Sequence, residues 1–349
     1  MLTHHRSNAE APPYSAAALP AGHLDLRLRY RKLAARSEIH SVGLSSDARR
    51  PVAYATFNGG QMDQVWLDMF ELDSQRGLSK VPGSHAAFAP GPGTGTTTTT
   101  RVATLRDWTV QLGPGVDYSH STSLLVRDVA TGKSLLEIKG ACGEPVAWSP
   151  DGRLVAAAEP RRHRIGVWDA RSGQLRGRVV SHIDSVAFAA FTHDAQPQLV
   201  TAARDGTLRL TDPATSRTVA RLEIEGLGAG NPRALAVARE GSTGPVVVSV
   251  WGATVHVWRP RAGQVASYAL AAVRRTEGVP LTLSPDARYM LCWTEGGGFD
   301  IMDARTGTTL AERPGGALVT AAAFSADASV LLLGRMDGYL EVWDIVTKS

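Results

Sequence analysis

From Leu24 the chain alternates, with Leu24, Leu26, Leu28 and Tyr30 apolar and Asp25, Arg27, Arg29 and Arg31 charged. A period of two is that of a β-strand with one face packed and the other solvated. A short amphipathic helix over residues 32–35 is the weaker alternative for its end. Beyond it, short apolar runs stop at turn residues: Leu44-Ser45-Ser46-Asp47, Phe88-Ala89-Pro90, Trp148-Ser149-Pro150-Asp151-Gly152, Phe191-Thr192-His193-Asp194, Val237-Ala238-Arg239, Leu283-Ser284-Pro285-Asp286 and Phe324-Ser325-Ala326-Asp327. Proline presets φ, aspartate caps the turn, and glycine accepts positive φ, so each is a connection between strands.

A second marker recurs in phase: Leu72-Asp73, Arg127-Asp128, Trp168-Asp169, Thr211-Asp212, Trp258-Arg259, Met302-Asp303 and Trp343-Asp344. Most of its spacings fall at roughly 40 to 47 residues, the length of a four-stranded propeller blade. Seven units result. One interval is longer, and its surplus lies at residues 91–106, where Gly-Pro-Gly-Thr-Gly and a threonine run sit. This predicts an extended loop in the second unit. A phosphate-binding loop would need Lys and Ser/Thr after the glycines, opening a helix, and the threonine run favours strand instead.

With these units on the page, the chain resembles the WD-repeat β-propeller family, most clearly at Val167-Trp168-Asp169 and Val342-Trp343-Asp344. The resemblance covers about residues 23–347. It implies an all-β fold, a seven-bladed β-propeller of four-stranded antiparallel blades, with residues 1–22 as an Ala/Pro/Ser-rich flexible leader and 23–349 as one propeller. The last unit runs out at Asp344, so the resemblance assigns residues 24–30 as the strand that completes the last blade from the other terminus and closes the ring. The family ties each blade with a His, a Ser/Thr, an Asp and the strand-three Trp. Here the fourth unit has His182, Thr201 and Asp205 but Thr211 for the Trp, and the seventh has Asp337 and Trp343 but Leu333 and Gly334 where the hydroxyl belongs. No unit has all four, so stability is expected to come mainly from apolar packing.

Composition narrows the function. Hydrophobic residues at 43% and charged residues at 20% of 349 suit a globular chain. A net charge of +4, from 37 Lys plus Arg against 33 Asp plus Glu, argues against nucleic acid as a direct ligand. Two cysteines, Cys142 and Cys292, make no disulfide framework, which favours a reducing, intracellular setting, cytoplasmic or nuclear. No apolar stretch reaches membrane-span length, so no membrane association is expected.

No nucleophile-elbow, zinc-protease or calcium-loop pattern is present, and the histidines are scattered over different units. No catalytic, cofactor or metal residue is therefore assigned. Asp47, Asp151, Asp194, Asp286 and Asp327 hold repeated turn positions. Residues the repeat does not require are more informative. The turn joining strands two and three of each blade shares one face with the loop leading into that blade. Aligning the units places Tyr118, Arg161, Arg162, His163, Arg204, Trp251, Glu295 and Met336 on that rim. The arginines form a candidate anion-facing patch on neighbouring blades, and Trp251 either folds back onto the sheet or anchors an interface. The expectation is a non-catalytic protein–protein interaction scaffold, within a multi-subunit complex, presenting one face to an acidic or phosphorylated segment. No small-molecule substrate is evident. An enzyme or ligand-binding propeller using the central channel and a nucleic-acid-associated propeller are the alternatives.

Overall fold

The computed structural model describes residues 24–46, 52–58, 65–90, 100–110, 119–141, 143–161, 163–224, 232–240, 244–270 and 280–348. They form a seven-bladed β-propeller of four-stranded antiparallel sheets. From inner to outer strand, blade 1 is Ile39–Leu44, Val52–Asn58, Val65–Glu71 and Gly77–Pro82; blade 2 is Ser84–Phe88, Arg101–Val110, Ser119–Asp128 and Ser134–Ile138; blade 3 is Gly143–Trp148, Leu154–Ala158, Ile165–Asp169 and Leu175–Val179. Blade 4 is Val186–Phe191, Leu199–Ala203, Thr207–Asp212 and Arg217–Glu223, and blade 5 is Pro232–Glu240, Gly244–Trp251, Thr254–Arg259 and Gln264–Ala269. Blade 6 is Pro280–Leu283, Tyr289–Trp293, Phe299–Asp303 and Thr309–Arg313; blade 7 is Val319–Phe324, Val330–Arg335 and Tyr339–Thr347, completed on the outside by Leu24–Leu33. No helix among the described residues is long and apolar enough to cross a membrane.

Among the described residues the core is divided. Seven apolar clusters each straddle two neighbouring blades, for instance Val246, Val248, Val250 and Val255 of blade 5 against Met290, Cys292 and Met302 of blade 6. A middle strand is packed on both faces, so Gly244–Trp251 is buried at every position and reads as an unbroken apolar run.

The closing strand pairs antiparallel with Tyr339–Thr347, Leu24 opposite Thr347 and Leu33 opposite Tyr339. Leu24 and Leu26 are each 3% exposed, and burying such side chains stabilises by about 1.5–3 kcal/mol apiece. The Arg29 guanidinium spans Asp344 of blade 7 (Nε to Oδ1, 3.1 Å) and Asp73 of blade 1 (2.7 Å). The Tyr30 hydroxyl donates to the Leu72 carbonyl at 2.7 Å. Solvent-accessible ion pairs contribute about 0–1 kcal/mol each, so the ladder and the two leucines carry the latch while the pairs set its register. At its end, Gly338 (φ +81°) turns beneath the chain, with its carbonyl accepting from Ala34 and Ala35 N–H; a Cβ there would collide with the Ala35 carbonyl.

Four sequence expectations need correction. The latch runs as strand to Leu33, past the residue 30 expected, so the weaker helical alternative at residues 32–35 falls away, and the last blade's third strand continues past Asp344 to Thr347 because the latch pairs with it there. In blade 1 the closing pair is Phe70-Glu71, not Leu72-Asp73. Phe70 sits opposite Ala53 as Trp168 sits opposite Val155, and Glu71 N–H donates to Arg76 O as Asp169 N–H donates to Gln174 O. Gln75 (φ +56°) there holds the left-handed position that Gly173 (φ +71°) holds in blade 3. Finally, only part of the surplus in blade 2 is loop. Arg101–Val110 and Ser119–Asp128 pair along their whole lengths, so residues 106–110 and 119–123 continue the hairpin beyond the partner strands of the blade, by about 16 Å at ~3.3 Å per residue. The leader at 1–22, and residues 91–99 of the expected loop, lie outside the described residues.

Candidate interaction face

The rim is built by the turns between second and third strands and the loops leading into each blade, and the two are tied together. Arg204 N–H donates to Ser185 O (2.8 Å) in blade 4, and Met336 N–H to Leu318 O (2.9 Å) in blade 7. Arg161 is exposed in the turn of residues 159–164, closed by Arg164 N–H to Arg161 O. His163 beside it is half-buried, Arg204 is exposed, and Met336 is 54% exposed. Arg161 and Arg204 have no carboxylate partner among the described residues. Glu295 opens a single 3-10 turn, Glu295–Gly297. Tyr118 and Arg162 lie outside the described residues.

Trp251 does not belong to the rim surface. It ends its strand opposite Thr254 and is 3% exposed, packed with Val200, Leu208, Leu210, Val247 and Trp258 between blades 4 and 5. A two-residue turn leaves the large ring no outward path, and the neighbouring blade offers an apolar slot. Its indole Nε1 has no hydrogen-bond partner among the described residues.

The residue that sequence reasoning missed is Ile183, 88% exposed at the crest between blades 3 and 4. Its backbone is fixed from below: Ile183 N–H donates to Asp205 Oδ2 at 3.1 Å. That carboxylate also faces His182 Nδ1 at 3.0 Å, and the Thr201 hydroxyl meets His182 Nε2 at 2.7 Å. The Thr207 hydroxyl donates to the other Asp205 oxygen at 2.7 Å. Burial pushes the His182 imidazole below its usual 6.5, outweighing the attraction of Asp205. Burial alone would raise Asp205, but the hydrogen bonds from Thr207 and Ile183 and the contact with His182 hold it below 3.8. The arrangement is therefore a neutral imidazole donating from Nδ1 to a carboxylate, with Nε2 accepting from Thr201. A lone isoleucine in the polar run Ser181-His182-Ile183-Asp184-Ser185 was the available signal.

Blade 7 closes the corresponding seam differently. Arg335, 3% exposed, donates to Glu341 Oε2 (2.7 Å) and to the Gly297 and Ala317 carbonyls (2.8 and 2.6 Å). Trp343 Nε1 donates to the same Glu341 oxygen at 3.1 Å. In blade 2, Arg127 takes the position of Trp168 and keeps an N–H donor aimed at the buried Thr104 hydroxyl (3.2 Å).

Elsewhere the chemistry is sparse. A pocket of about 280 Å³ among inner strands of blades 1, 2, 6 and 7 is lined by Leu44, Ala86, Phe88, Leu283, Ala322 and Phe324. On the face opposite the rim, a groove of about 940 Å³ is bordered by Arg176–Asp169 and Arg261–Asp194 ion pairs (2.9 and 3.0 Å). Asp151, Asp286 and Asp327 accept from the hydroxyl of the serine two residues earlier, the turn role their spacing predicts, whereas Asp194 reaches across to Arg261. No family model matches the chain, and no curated protein does either.

Proposed function

We propose that the chain is a divergent WD-repeat propeller acting as a non-catalytic, intracellular protein-interaction platform, and that it engages its partner on the rim around blades 3 and 4. Ile183 carries this reading. An almost fully exposed isoleucine is held on a backbone clamped by a buried His–Asp pair, so little ordering entropy opposes its insertion into a partner's apolar pocket. Arg161 and Arg204, on the two blades that flank the loop, add positive charge that is not held in an ion pair among the described residues, which suits an acidic or phosphorylated segment. Arginine forks bind such oxyanions in a bidentate manner, which gives direction as well as attraction.

The test is affinity capture with quantitative mass spectrometry on three forms: wild type, Ile183→Glu, and Arg161→Glu with Arg204→Glu. Loss of a shared set of proteins from both variants, with unchanged circular dichroism, is expected. Retention of every captured protein by both variants overturns the site.

A further inference from the structure

The outer strand of each blade has one row of backbone N–H and C=O groups facing away from the sheet, a template for pairing with another strand. Proteins blunt such edges with charges and with bulges that bend the strand. Six of the seven outer strands here carry both devices. Gly77–Pro82 has Lys80, Ser134–Ile138 has Glu137, Leu175–Val179 has Arg176 and Arg178, and Thr309–Arg313 has Glu312 and Arg313. Arg217–Glu223 and the latch are charged more heavily still. Each of these six shifts register against the strand it pairs with.

Blade 5 is different on both counts. Its outer strand, Gln264–Ala269, reads Gln-Val-Ala-Ser-Tyr-Ala and has no charged residue. It pairs with Thr254–Arg259 through all six positions without a shift. Gln264, Val265, Ser267 and Ala269 are exposed, Val265 by 42%. The side chains that could block an incoming strand are turned to other work: the Ser267 hydroxyl lies 2.8 Å from His256 Nδ1, and the Tyr268 hydroxyl donates to Ala304 O of blade 6 at 2.9 Å.

We propose that this edge pairs antiparallel with the same edge of a second copy of the chain, joining two four-stranded blades into one continuous sheet about a two-fold axis. Self-pairing selects the uncharged edge. A two-fold axis brings each strand against its own sequence, which about Gly177 would set Arg176 opposite Arg178 along Leu175–Val179, and like charges opposite one another are destabilising. Gln264–Ala269 meets its copy without that cost. A charged strand from another protein gains nothing here that the six guarded edges would not offer better. The contact lies on the outer wall of the ring, away from the rim around Ile183, so both can be occupied together.

Sedimentation velocity over a concentration series of the full chain tests this, with Val265→Lys and Ala269→Lys as edge variants and Val219→Lys, on the guarded edge of blade 4, as control. Wild type and Val219→Lys are expected to form a dimer as concentration rises, while Val265→Lys and Ala269→Lys stay monomeric with unchanged circular dichroism. Exchange of the outward-facing amides along residues 264–269 should slow as the dimer forms. A wild-type chain that is monomeric throughout overturns the proposal, as does a dimer that survives both edge variants. Outward-facing amides at residues 264–269 already slow in the dilute monomer would also overturn it, since the chain's own segments would then cover the edge.

Discussion

Blades 4 and 7 solve one problem with different residues. Each must bury the seam beneath the rim, where the loop leading into the blade meets the turn between its second and third strands. Blade 4 uses a neutral imidazole, a carboxylate and two threonine hydroxyls. Blade 7 has Leu333 at the position of Thr201, and fills the seam with a guanidinium, a carboxylate and an indole. The backbone tie above both is the same, turn N–H to loop carbonyl. The fold thus requires that buried polar atoms find partners, and leaves open which atoms they are. Where a member is missing, its counterpart has no partner among the described residues: Thr211 Oγ1 in blade 4, and in blade 5 Ser249 Oγ, at the position of Thr201.

The largest effect should come from removing the element that blade 7 has and blade 4 does not need. Deleting residues 1–35 takes away the outer strand of blade 7 and opens the ring, so the cooperative thermal transition should be lost, whereas deleting residues 1–20 should leave the melting temperature unchanged. An intact transition in the longer deletion would show that the latch is dispensable. Next in size is Arg335→Met, which leaves the buried Glu341 carboxylate with only the more exposed Arg31 guanidinium, 3.5 Å from its other oxygen, and should cost up to about 3 kcal/mol in urea unfolding. Adding Glu341→Gln should recover part of that loss, because the poorly compensated buried charge causes it.

The blade 4 counterpart is smaller. His182→Ala removes the donor to Asp205 and the partner of Thr201, and should cost about 2–3 kcal/mol. The two seams also differ in acid. The folded His182 stays neutral because burial lowers it below 6.5, while the unfolded chain takes up its proton near 6.5. Its stabilisation is therefore complete above that value and is lost as pH falls through the lowered folded value. His256, which burial pushes down to about 4, acts in the same direction. Melting temperature should fall between pH 7 and pH 5, and His182→Ala should flatten that dependence while Arg335→Met should not. The smallest effect is a gain: Thr211→Val removes a buried hydroxyl that has no partner among the described residues and should stabilise by up to ~1 kcal/mol. A loss of stability there would mean that the hydroxyl has a bound water.

Much of the architecture was legible in one dimension because the relevant interactions are local or periodic. Turn chemistry marked where strands end, and seven phased closing markers counted the blades. The alternation from Leu24 announced a half-buried strand whose partner lay at the far end of the chain. Blade 1 was misread by two residues because Gln75 fills a left-handed position that glycine marks elsewhere, so its signal was absent. The rim was legible only in outline. Arg161, Arg204 and Met336 followed from alignment of the repeats, whereas Trp251 needed the neighbouring blade to show the slot that swallows it.

What the sequence determined by itself was the number of blades, their strand order and the strand that closes them, since these follow from patterns repeated along the chain. Tertiary structure decided which side chains face solvent, that Arg335 and Glu341 pair within the wall of blade 7, and that, among the described residues, only blade 5 presents an unguarded edge. The physical reason is that burial and charge pairing belong to surfaces brought together from different blades, and no local pattern encodes the distance between them.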